Sequence, residues 1–412
     1  MMNFYILKKK NFSLLMTGKL LSLVGTEMQS FALSLYVLKI TGSATKFASV
    51  LAVTIIPQIV LGPFAGVLVD WFNRKKMIIY LDLLNGLILL PYVYIYYAYS
   101  SISLTSIYIL VIMLAIISVF YNPALNTIIP TIIEKDYLVD ANGINSLIMN
   151  IGNIIAPLIA GVLFGFYGLS IILIINAFSF IMSAVCEMFL NIPTANQKPE
   201  SISLKVFFND FLEGLKFIKN KDILLVIIIL GALVNFAYSP IFSVGITYIS
   251  KQILKVTDYQ YGILQSFFII SMVFAPFLCS SVSKKLTLGK ILFFDIFINS
   301  ILIAIMALFV DLRLIWGNFS SFISLLIIGF MIQLITGIGN IALSTMIQKE
   351  IPLNLLGRIN SAISMGLMIA VPLGQIVFGV LFDKLPADIC LIISAFILFI
   401  SILLLRKKLT SY

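Results

Sequence analysis

Long apolar stretches recur along this chain and restrict it to a fold that lies in lipid. Hydrophobic residues fill 61% of the 412 positions and charged residues only 11%, whereas soluble domains carry about 25% charged residues. A soluble core cannot bury this much apolar surface, and a helix that crosses a bilayer needs about 20 apolar residues. Twelve stretches meet that requirement: 12–38, 47–69, 77–99, 104–123, 143–165, 168–190, 223–249, 259–282, 290–310, 319–346, 359–382 and 387–405. The sequence therefore predicts an all-α membrane protein with 12 transmembrane helices.

The lysines and arginines between these stretches predict the orientation of the chain. Twelve spans place both termini on one side of the membrane, and the loops on that side then hold 20 basic residues against six in the opposite loops. Basic residues are enriched in cytoplasmic loops, so we expect both termini in the cytoplasm and the protein in the cytoplasmic membrane. The net charge of +10 is explained by this orientation, and no nucleic-acid partner is expected.

An internal repeat indicates that the two ends of the chain are related. The tripeptide Ile-Asn-Ser occurs at 144–146 and again at 359–361. The tetrapeptide GVLF occurs at 161–164 and again at 379–382. Because these matches follow one another in the same order and lie in corresponding spans, they predict two related six-helix halves.

The repeat and one hydrophilic stretch predict three segments. The N-terminal six-helix bundle is expected over 1–190, a cytoplasmic linker over 191–222 and the C-terminal six-helix bundle over 223–412. Apolar residues recur at helical spacing in the second part of the linker. That pattern predicts an amphipathic helix on the inner membrane surface.

The turn between the second and third stretches, GPFAGVLVDWFNRKK, concentrates four charges between apolar runs. Arg74 and Lys75 would face anionic lipid headgroups at the cytoplasmic surface. The negative charge of Asp70 is not stabilised by an anionic surface. Its carboxylate can instead accept hydrogen bonds from the N-terminus of a neighbouring helix and so act as a latch, a contact that holds the two helices together. Gly62 and Gly66 permit the close helix approach that a sliding interface needs. The alternative for Asp70 is a solvated loop aspartate.

This turn resembles the signature of the major facilitator superfamily between spans two and three, Gly-x-Leu-x-Asp-Arg-x-Gly-Arg-Arg/Lys. Gly66 and Asp70 match the signature, whereas Trp71 replaces its first arginine and Asn73 its second glycine. In that family the aspartate holds the two halves together on the inner side while the cavity opens outward. The resemblance covers the whole chain and implies two pseudo-symmetric six-helix bundles that alternate access to a central cavity.

A second motif, in the fifth span, resembles the pattern Gly-x-x-x-Gly-Pro-x-x-Gly-Gly that is associated with antiporters of this family. Gly152, Pro157 and Gly161 match it, and alanines replace two of its glycines. Phrases such as FALSLYVLKITGSA and DFLEGLKFIKNK are similar to the drug-efflux branch that contains macrolide efflux proteins and the enterobactin exporter. This resemblance implies proton-coupled export, although the arginine that many drug–proton antiporters carry in span four is missing.

Charged residues inside the spans need an explanation, because each costs about 2.5–3.5 kcal/mol in hydrocarbon. Glu27 lies near the middle of the first span. A carboxyl removed from water favours its neutral form, so Glu27 is a candidate proton or cationic-substrate site. The alternative is a structural pair with another helix or with Lys19, which is itself a second candidate. Asp82, Glu187 and Asp295 lie near the predicted inner ends of their spans, so we expect them at the interface with access to water.

Polar side chains also interrupt the other spans, close in sequence to several aromatic residues. A pocket of aromatic rings with a few amides suits a bulky amphipathic ligand. Each of these side chains taken alone could equally serve helix packing. The candidates for a cavity wall are Gln58, Asn153, Asn235, Tyr238, Gln265, Gln333, Asn340 and Gln375.

The residue types that are missing narrow the function classes. Histidine is absent, and the three cysteines are isolated within apolar segments, so no metal site, cofactor or disulfide framework is predicted. A nucleotide-driven pump is disfavoured because no GxxxxGK[ST] loop occurs. The sequence favours a monomeric secondary transporter that exports a small hydrophobic or amphipathic molecule in exchange for protons. An importer of a small nutrient stays open, as does a membrane enzyme such as a prenyl- or acyltransferase, which the missing nucleophile–base pair disfavours.

Overall fold

The helices of this computed structural model follow the predicted spans. The structure describes residues 4–134, 137–192, 221–351 and 356–410, and within these ranges it contains helices and no strands. A short 3-10 turn, Phe4–Lys8, precedes the first long helix. The long helices are α1 (Lys10–Thr41), α2 (Ala44–Trp71), α3 (Arg74–Tyr99), α4 (Leu104–Ile132), α5 (Leu138–Met188), α6 (Asp222–Ala237), α7 (Asp258–Val282), α8 (Leu288–Asp311), α9 (Arg313–Glu350), α10 (Leu356–Lys384) and α11 (Ala387–Thr410).

The seventh predicted span continues beyond α6 as a helix with wider turns. π-Helical turns at Ile241–Gly245 and Ile249–Ile253 flank a short α-helical stretch, Ile246–Tyr248. Wide turns of this kind are rare and occur frequently at functional sites. Here they begin shortly after Tyr238, which lines the cavity described below.

The described residues cross the bilayer twelve times because α5 contains two spans. Eleven helices in the described ranges are long and apolar enough to cross a membrane, and the longest is α5 with 51 residues. A straight helix of that length would be about 76 Å long, far more than the roughly 30 Å of hydrocarbon in a bilayer. Gly168 interrupts α5 with a φ of 71° and a ψ of −159°. Each of the two resulting parts is long enough to span.

Contacts with α1 show that the two parts of α5 run in opposite directions. Going along α1 towards its C-terminus, the residues that it contacts have increasing residue numbers in the part of α5 before Gly168. In the part after Gly168 they have decreasing residue numbers. The contact pairs are Lys19–Asn145 and Leu23–Gly152 before the break, and Gly18–Ser183 and Gln29–Asn176 after it. The chain therefore reverses at Gly168, as expected for two consecutive spans.

The surface of the helix bundle carries large apolar side chains that a soluble protein would bury. Phe277 is 73% exposed, Phe166 81% and Leu404 78%. Exposed side chains of this kind are accommodated by lipid, and the intrahelical hydrogen bonds leave few backbone groups unpaired. The fold class predicted from the apolar stretches is confirmed.

The residue contacts divide the chain into two compact units. The first comprises Met1–Val37, Val53–Ile202 and Asp258–Ser266, and the second comprises Leu38–Ala52, Ser203–Thr257 and Phe267–Tyr412. The first turns of α2 thus belong to the second unit, and the first turns of α7 belong to the first unit. The segment limits 1–190, 191–222 and 223–412 stay predictions. The amphipathic helix predicted in the linker lies outside the described residues.

We predict that Gly168→Ala destabilises the protein by about 1–3 kcal/mol, because the backbone conformation at this position is one that essentially only glycine adopts. Thermal unfolding of the purified protein in detergent measures the effect. Gly62→Ala is the matched control, since an added Cβ at Gly62 would meet no described atom within 4 Å. Equal stability of the two variants would contradict the reversal at Gly168.

Candidate functional site

A cavity of about 190 Å³ lies among helices of the second unit. It is lined by α6, α8, α9 and α10, together with Leu398 of α11, and we call it the Asp295 cavity. Its walls are mostly apolar: Ile227, Leu230, Val234, Leu292, Ile296, Leu343 and Leu367. Its polar side chains are Asn235, Tyr238, Asp295, Asn299, Thr336 and Asn340.

A chain of hydrogen bonds connects most of these polar side chains. Asn299 Nδ2 donates to Asp295 Oδ1 at 2.8 Å and to Thr336 Oγ1 at 2.9 Å. Tyr238 Oη donates to Gln333 Oε1 at 2.8 Å and lies 2.8 Å from Thr336 Oγ1. A phenol has a single proton, so Thr336 is the donor to Tyr238. Within this hydrogen-bond network the carboxyl of Asp295 accepts from only one donor, the amide of Asn299, and that donor is neutral.

The carboxyl of Asp295 lies on the cavity without a cationic partner. Asp295 stands about 10 Å along α8 from its first residue, and no lysine or arginine within the described residues pairs with it. Its second oxygen, Oδ2, lies against Gly339, where an added Cβ would collide with it. A carboxylate in a low-dielectric site is stabilised by a proton or by a bound cation. The cavity is therefore suited to a ligand that combines an apolar body with a positive charge.

Four of the predicted cavity residues meet at this site. Asn235, Tyr238 and Asn340 line the cavity, and Gln333 is hydrogen-bonded to Tyr238. Asn235 also donates from Nδ2 to the carbonyl oxygen of Leu367 at 2.9 Å, which joins α6 to α10. Asn235 of α6, Tyr238 just after it and Asn340 of α9 thus line the same cavity as Asp295 of α8.

The other four predicted cavity residues lie elsewhere. Gln375 Nε2 is 3.4 Å from Ser243 Oγ, and Gln265 Nε2 donates to Tyr261 Oη at 2.5 Å. Gln58 is exposed and Asn153 is partly buried. None of the four lines the Asp295 cavity.

The two charged residues of the first span have different surroundings. Lys19 Nζ donates to Asn145 Oδ1 at 2.7 Å. Glu27 is partly buried and lies about 25 Å along α1, close to the middle of this 32-residue helix. It forms no hydrogen bond or ion pair with any residue that the structure describes. The pair between Glu27 and Lys19 is thus not formed, and Glu27 stays a candidate proton or substrate site.

Asn73 and Lys75, in the charged turn between α2 and α3, form hydrogen bonds to described residues. Asn73 Oδ1 accepts a hydrogen bond from the backbone N–H of Lys76 at 3.1 Å and caps α3, which accounts for an amide at this position of the signature. Lys75 Nζ donates to the backbone oxygen of Met188 at 2.8 Å. That cation complements the C-terminus of α5.

Parts of the motif lie beyond what the structure describes. Arg74 is the first residue of α3. The side chains of residues 66–71, which include Gly66 and Asp70, lie outside the described part of the chain. The latch at Asp70 therefore stays a prediction.

The glycines of the second motif bring α5 into backbone contact with its neighbours in the first unit. A Cβ added at Gly161 would lie 2.7 Å from the backbone oxygen of Asp258, and one added at Gly262 would lie 2.5 Å from that of Pro157. A Cβ added at Gly152 would lie 2.6 Å from the side chain of Leu23 of α1. The motif thus permits close packing of α5 against the first turns of α7.

An aspartate that the sequence did not single out caps α2. Asp383, in the last turn of α10, accepts from the backbone N–H of Ala44 at 2.6 Å through Oδ1. Its Oδ2 accepts from the N–H of Thr45 at 3.0 Å and from the hydroxyl of Ser43 at 2.5 Å. Asp383 thus satisfies N–H groups of the first turn of α2, which have no partner within their own helix.

Gly379 allows this cap to form. A Cβ added at Gly379 would lie 2.7 Å from Ala48 Cβ and 3.1 Å from the backbone oxygen of Ala44. The start of α2 and the end of α10 are therefore packed as tightly as α5 and α7. Both contacts join a helix from the first six spans to one from the last six.

Comparison with known proteins identifies the family. The model of the Major Facilitator Superfamily matches residues 15–375, which is most of the chain. The chain belongs to the major facilitator superfamily. It is a multi-pass membrane transporter and not an enzyme, so the enzyme alternative is excluded.

Relatives by sequence and by structure agree with this family. Macrolide efflux protein A of Streptococcus pyogenes is 23% identical over 383 residues, which covers 92% of this chain and 91% of that protein. The structure is similar to the crystal structure of a bacterial homologue of the iron transporter ferroportin in an inward-facing state. That similarity has a TM-score of 0.74 at 17% identity and covers 97% of this chain and 98% of the other.

A second structural neighbour is the nucleoside transporter NupG, with a TM-score of 0.75 and 16% identity over 97% of this chain and 99% of the other. At such identities the likeness shows the fold alone. These two neighbours are named for different substrates and therefore assign none to this chain.

We predict that Gly262→Ala separates α7 from α5, because the added methyl group overlaps the carbonyl of Pro157. Overpacking of this kind costs about 1–3 kcal/mol. The rate of disulfide formation between Ile154→Cys and Ser266→Cys measures how closely α7 approaches α5. These positions are close, since Ser266 Oγ lies 2.6 Å from the Ile154 carbonyl oxygen. Gly165→Ala is the control, because its Cβ would lie 3.8 Å from Asp258. Cross-linking that is equally fast in both variants would contradict the role of the glycine.

Proposed function

We propose that this transporter exports a hydrophobic or amphipathic compound, of the macrolide or multidrug type, from the cytoplasm in exchange for protons. The distribution of basic residues supports an orientation with both termini in the cytoplasm. The relatives that are named macrolide efflux proteins support the direction of transport. The packing of α5 and α7 at the span-five motif is consistent with a family member that alternates access.

The proposed substrate class rests on the carboxyl of Asp295, which lies in a cavity with apolar walls and forms no ion pair with a described lysine or arginine. Drug-sized ligands occupy pockets of roughly 300–1,000 Å³, which is larger than the 190 Å³ found here. The cavity would therefore hold the charged group of a substrate and not its whole body. Many macrolides and cationic dyes carry one basic nitrogen on a large apolar frame, and Asp295 would pair with that nitrogen.

Alternating access requires contacts that break when one side of the protein opens. The cap that Asp383 forms on α2 is such a contact, because it joins helices from the two predicted halves through three hydrogen bonds. In the proposed orientation both helix ends lie on the outer side. Asp383 would then hold the outer side closed, and opening would expose the N–H groups of α2 to water.

We predict that Asp295→Asn weakens the binding of a lipophilic cation at least tenfold, which corresponds to about 1.4 kcal/mol. The amide keeps the shape of the side chain and removes its charge. Binding of radiolabelled tetraphenylphosphonium to the purified protein measures the loss. Asp311→Asn is the matched control, since Asp311 is an exposed residue at the end of the same helix.

Accumulation in cells tests the direction of transport. Cells that express the protein should retain less ethidium and less erythromycin than cells that express Asp295→Asn, and a protonophore should abolish the difference. Unchanged retention of both compounds, together with uptake of a nutrient, would favour the importer alternative.

We also predict that Asp383→Ala loosens the contact between α2 and α10, because two backbone N–H groups lose their acceptor. Spin labels at Lys46 and Lys384, both exposed, report the distance between these helix ends. The wild type should give one short distance, and the variant should add a longer one. Asp388→Ala removes an acidic residue five positions further on and should leave the distance unchanged. A single short distance in Asp383→Ala would show that the cap does not hold this contact.

A further inference from the structure

Two buried carboxyl groups meet in the first unit, away from the Asp295 cavity. Asp82 of α3 is 0% exposed and Glu187 of α5 is 1% exposed, and we call them the carboxyl pair. Tyr121 of α4 connects them: its Oη donates to Glu187 Oε1 at 2.9 Å and lies 3.5 Å from Asp82 Oδ2. Both residues were expected to contact water at the membrane interface, and their burial shows that expectation to be wrong.

The carboxyl pair has more acceptor atoms than the hydrogen bonds among the described residues satisfy. Tyr121 can donate only one proton. Asp82 Oδ1 and Glu187 Oε2 are buried and have no hydrogen-bond partner among the described residues. The hydroxyl of Ser183 lies beside Asp82 and Tyr121 and is 0% exposed. It too forms no hydrogen bond of acceptable geometry within the described chain. The site thus contains three buried polar atoms, one on each of these side chains, that form no hydrogen bond of acceptable geometry with described residues.

The ionisable groups around the carboxyl pair do not neutralise it. From α1, Lys19 extends to Asn145 Oδ1 at 2.7 Å. From the start of α3, Lys75 binds the backbone oxygen of Met188 at 2.8 Å. On α5 the adjacent ionisable group is the thiol of Cys186, and on α4 it is the phenol of Tyr121. Neither Asp82 nor Glu187 forms an ion pair with a described lysine or arginine.

Two ionised carboxylates that share one phenol in a low-dielectric interior repel each other without compensation. A bound proton removes this repulsion, and such a proton belongs to the pair and not to either residue alone. A metal ion is a poorer fit, because no group of three or more histidine, cysteine, aspartate or glutamate side chains able to hold one occurs among the described residues. The geometry therefore favours a proton as the ligand.

We propose that Asp82 and Glu187, bridged by Tyr121, form a proton-binding site that is loaded and emptied once in each transport cycle. The inference rests on the proton-coupled export proposed above and names the coupling site. On loading, one O–H bond forms on a carboxylate oxygen and the pair goes from two negative charges to one. On release that bond breaks and the proton passes to water. No other bond changes.

The position of the carboxyl pair links it to the signature turn. Asp82 lies about 12 Å along α3 from Arg74, the first residue after that turn. Glu187 is the residue before Met188, whose backbone oxygen Lys75 binds. A change of charge in the pair would therefore act on the start of α3 and the end of α5, which Lys75 connects. This provides a path from protonation to the contact between the start of α3 and the end of α5.

Proton binding by the purified protein tests the site without any transport substrate. Potentiometric titration of wild type and of the double variant Asp82→Asn/Glu187→Gln should differ by one proton per chain between about pH 5 and pH 9. Infrared difference spectra over the same range should lose the carbonyl band of the protonated pair in the double variant. Glu134→Gln is the control, since Glu134 is an exposed carboxylate paired with Lys9.

The single variant Tyr121→Phe keeps both carboxyl groups and removes their bridging donor. It should shift the infrared band without abolishing it, which separates a role in proton binding from a role in packing. Identical titration curves for wild type and the double variant would overturn the proposal. A band that responds to sodium or manganese at constant pH would also overturn it, because a metal ion would then be the ligand.

These outcomes are independent of the export proposal. If the carboxyl pair titrates as expected but cells retain drugs unchanged, the proton site stands and the proposed substrate or direction fails. If drugs are exported and the pair does not titrate, the export proposal stands and coupling at this site fails.

Discussion

A lipid bilayer offers no hydrogen-bond partner to a backbone amide and no water to a charged side chain, and the structure of this transporter follows from that constraint. Helices satisfy the backbone internally, which explains the eleven membrane-spanning helices of the described chain. The same constraint makes each charge within the membrane costly. The few carboxyl groups that lie inside the bundle are therefore the residues most informative about function.

Asp295 and the carboxyl pair lie in different surroundings within the membrane. Asp295 lies on a cavity with apolar walls and accepts from one neutral donor, which is why we propose that it pairs with the cationic group of a substrate. Asp82 and Glu187 are buried and share the hydroxyl of Tyr121, which is why we propose a proton as their ligand. One site in each compact unit would allow substrate and proton to occupy separate places in the cycle.

Much of the fold could be predicted from the sequence, because a span is recognised by length and apolar composition alone. The position of a charge along a helix could also be estimated from its residue number, but the face of the helix and its neighbours could not. For this reason Asp82 and Glu187, which lie near helix ends, were expected in water and are buried. The cap by Asp383 was missed because nothing in the sequence relates residue 383 to residue 44.

Part of the candidate site could be predicted from helical periodicity. Asp295 and Asn299 are four residues apart, as are Thr336 and Asn340, so each pair shares one helix face. Together with Asn235 and Tyr238 they form the Asp295 cavity. Which helices face one another is decided by the fold, and the sequence pattern does not contain that information.

The exchange of substrate for protons is the central claim, and flux measurements in proteoliposomes test it most directly. With the purified protein reconstituted, a pH-sensitive dye inside the vesicles and the membrane potential clamped, an imposed gradient of erythromycin should drive protons in the opposite direction. Asp82→Asn/Glu187→Gln should uncouple the two fluxes. Movement of erythromycin without proton movement in the wild type, or no movement of either, would contradict the account.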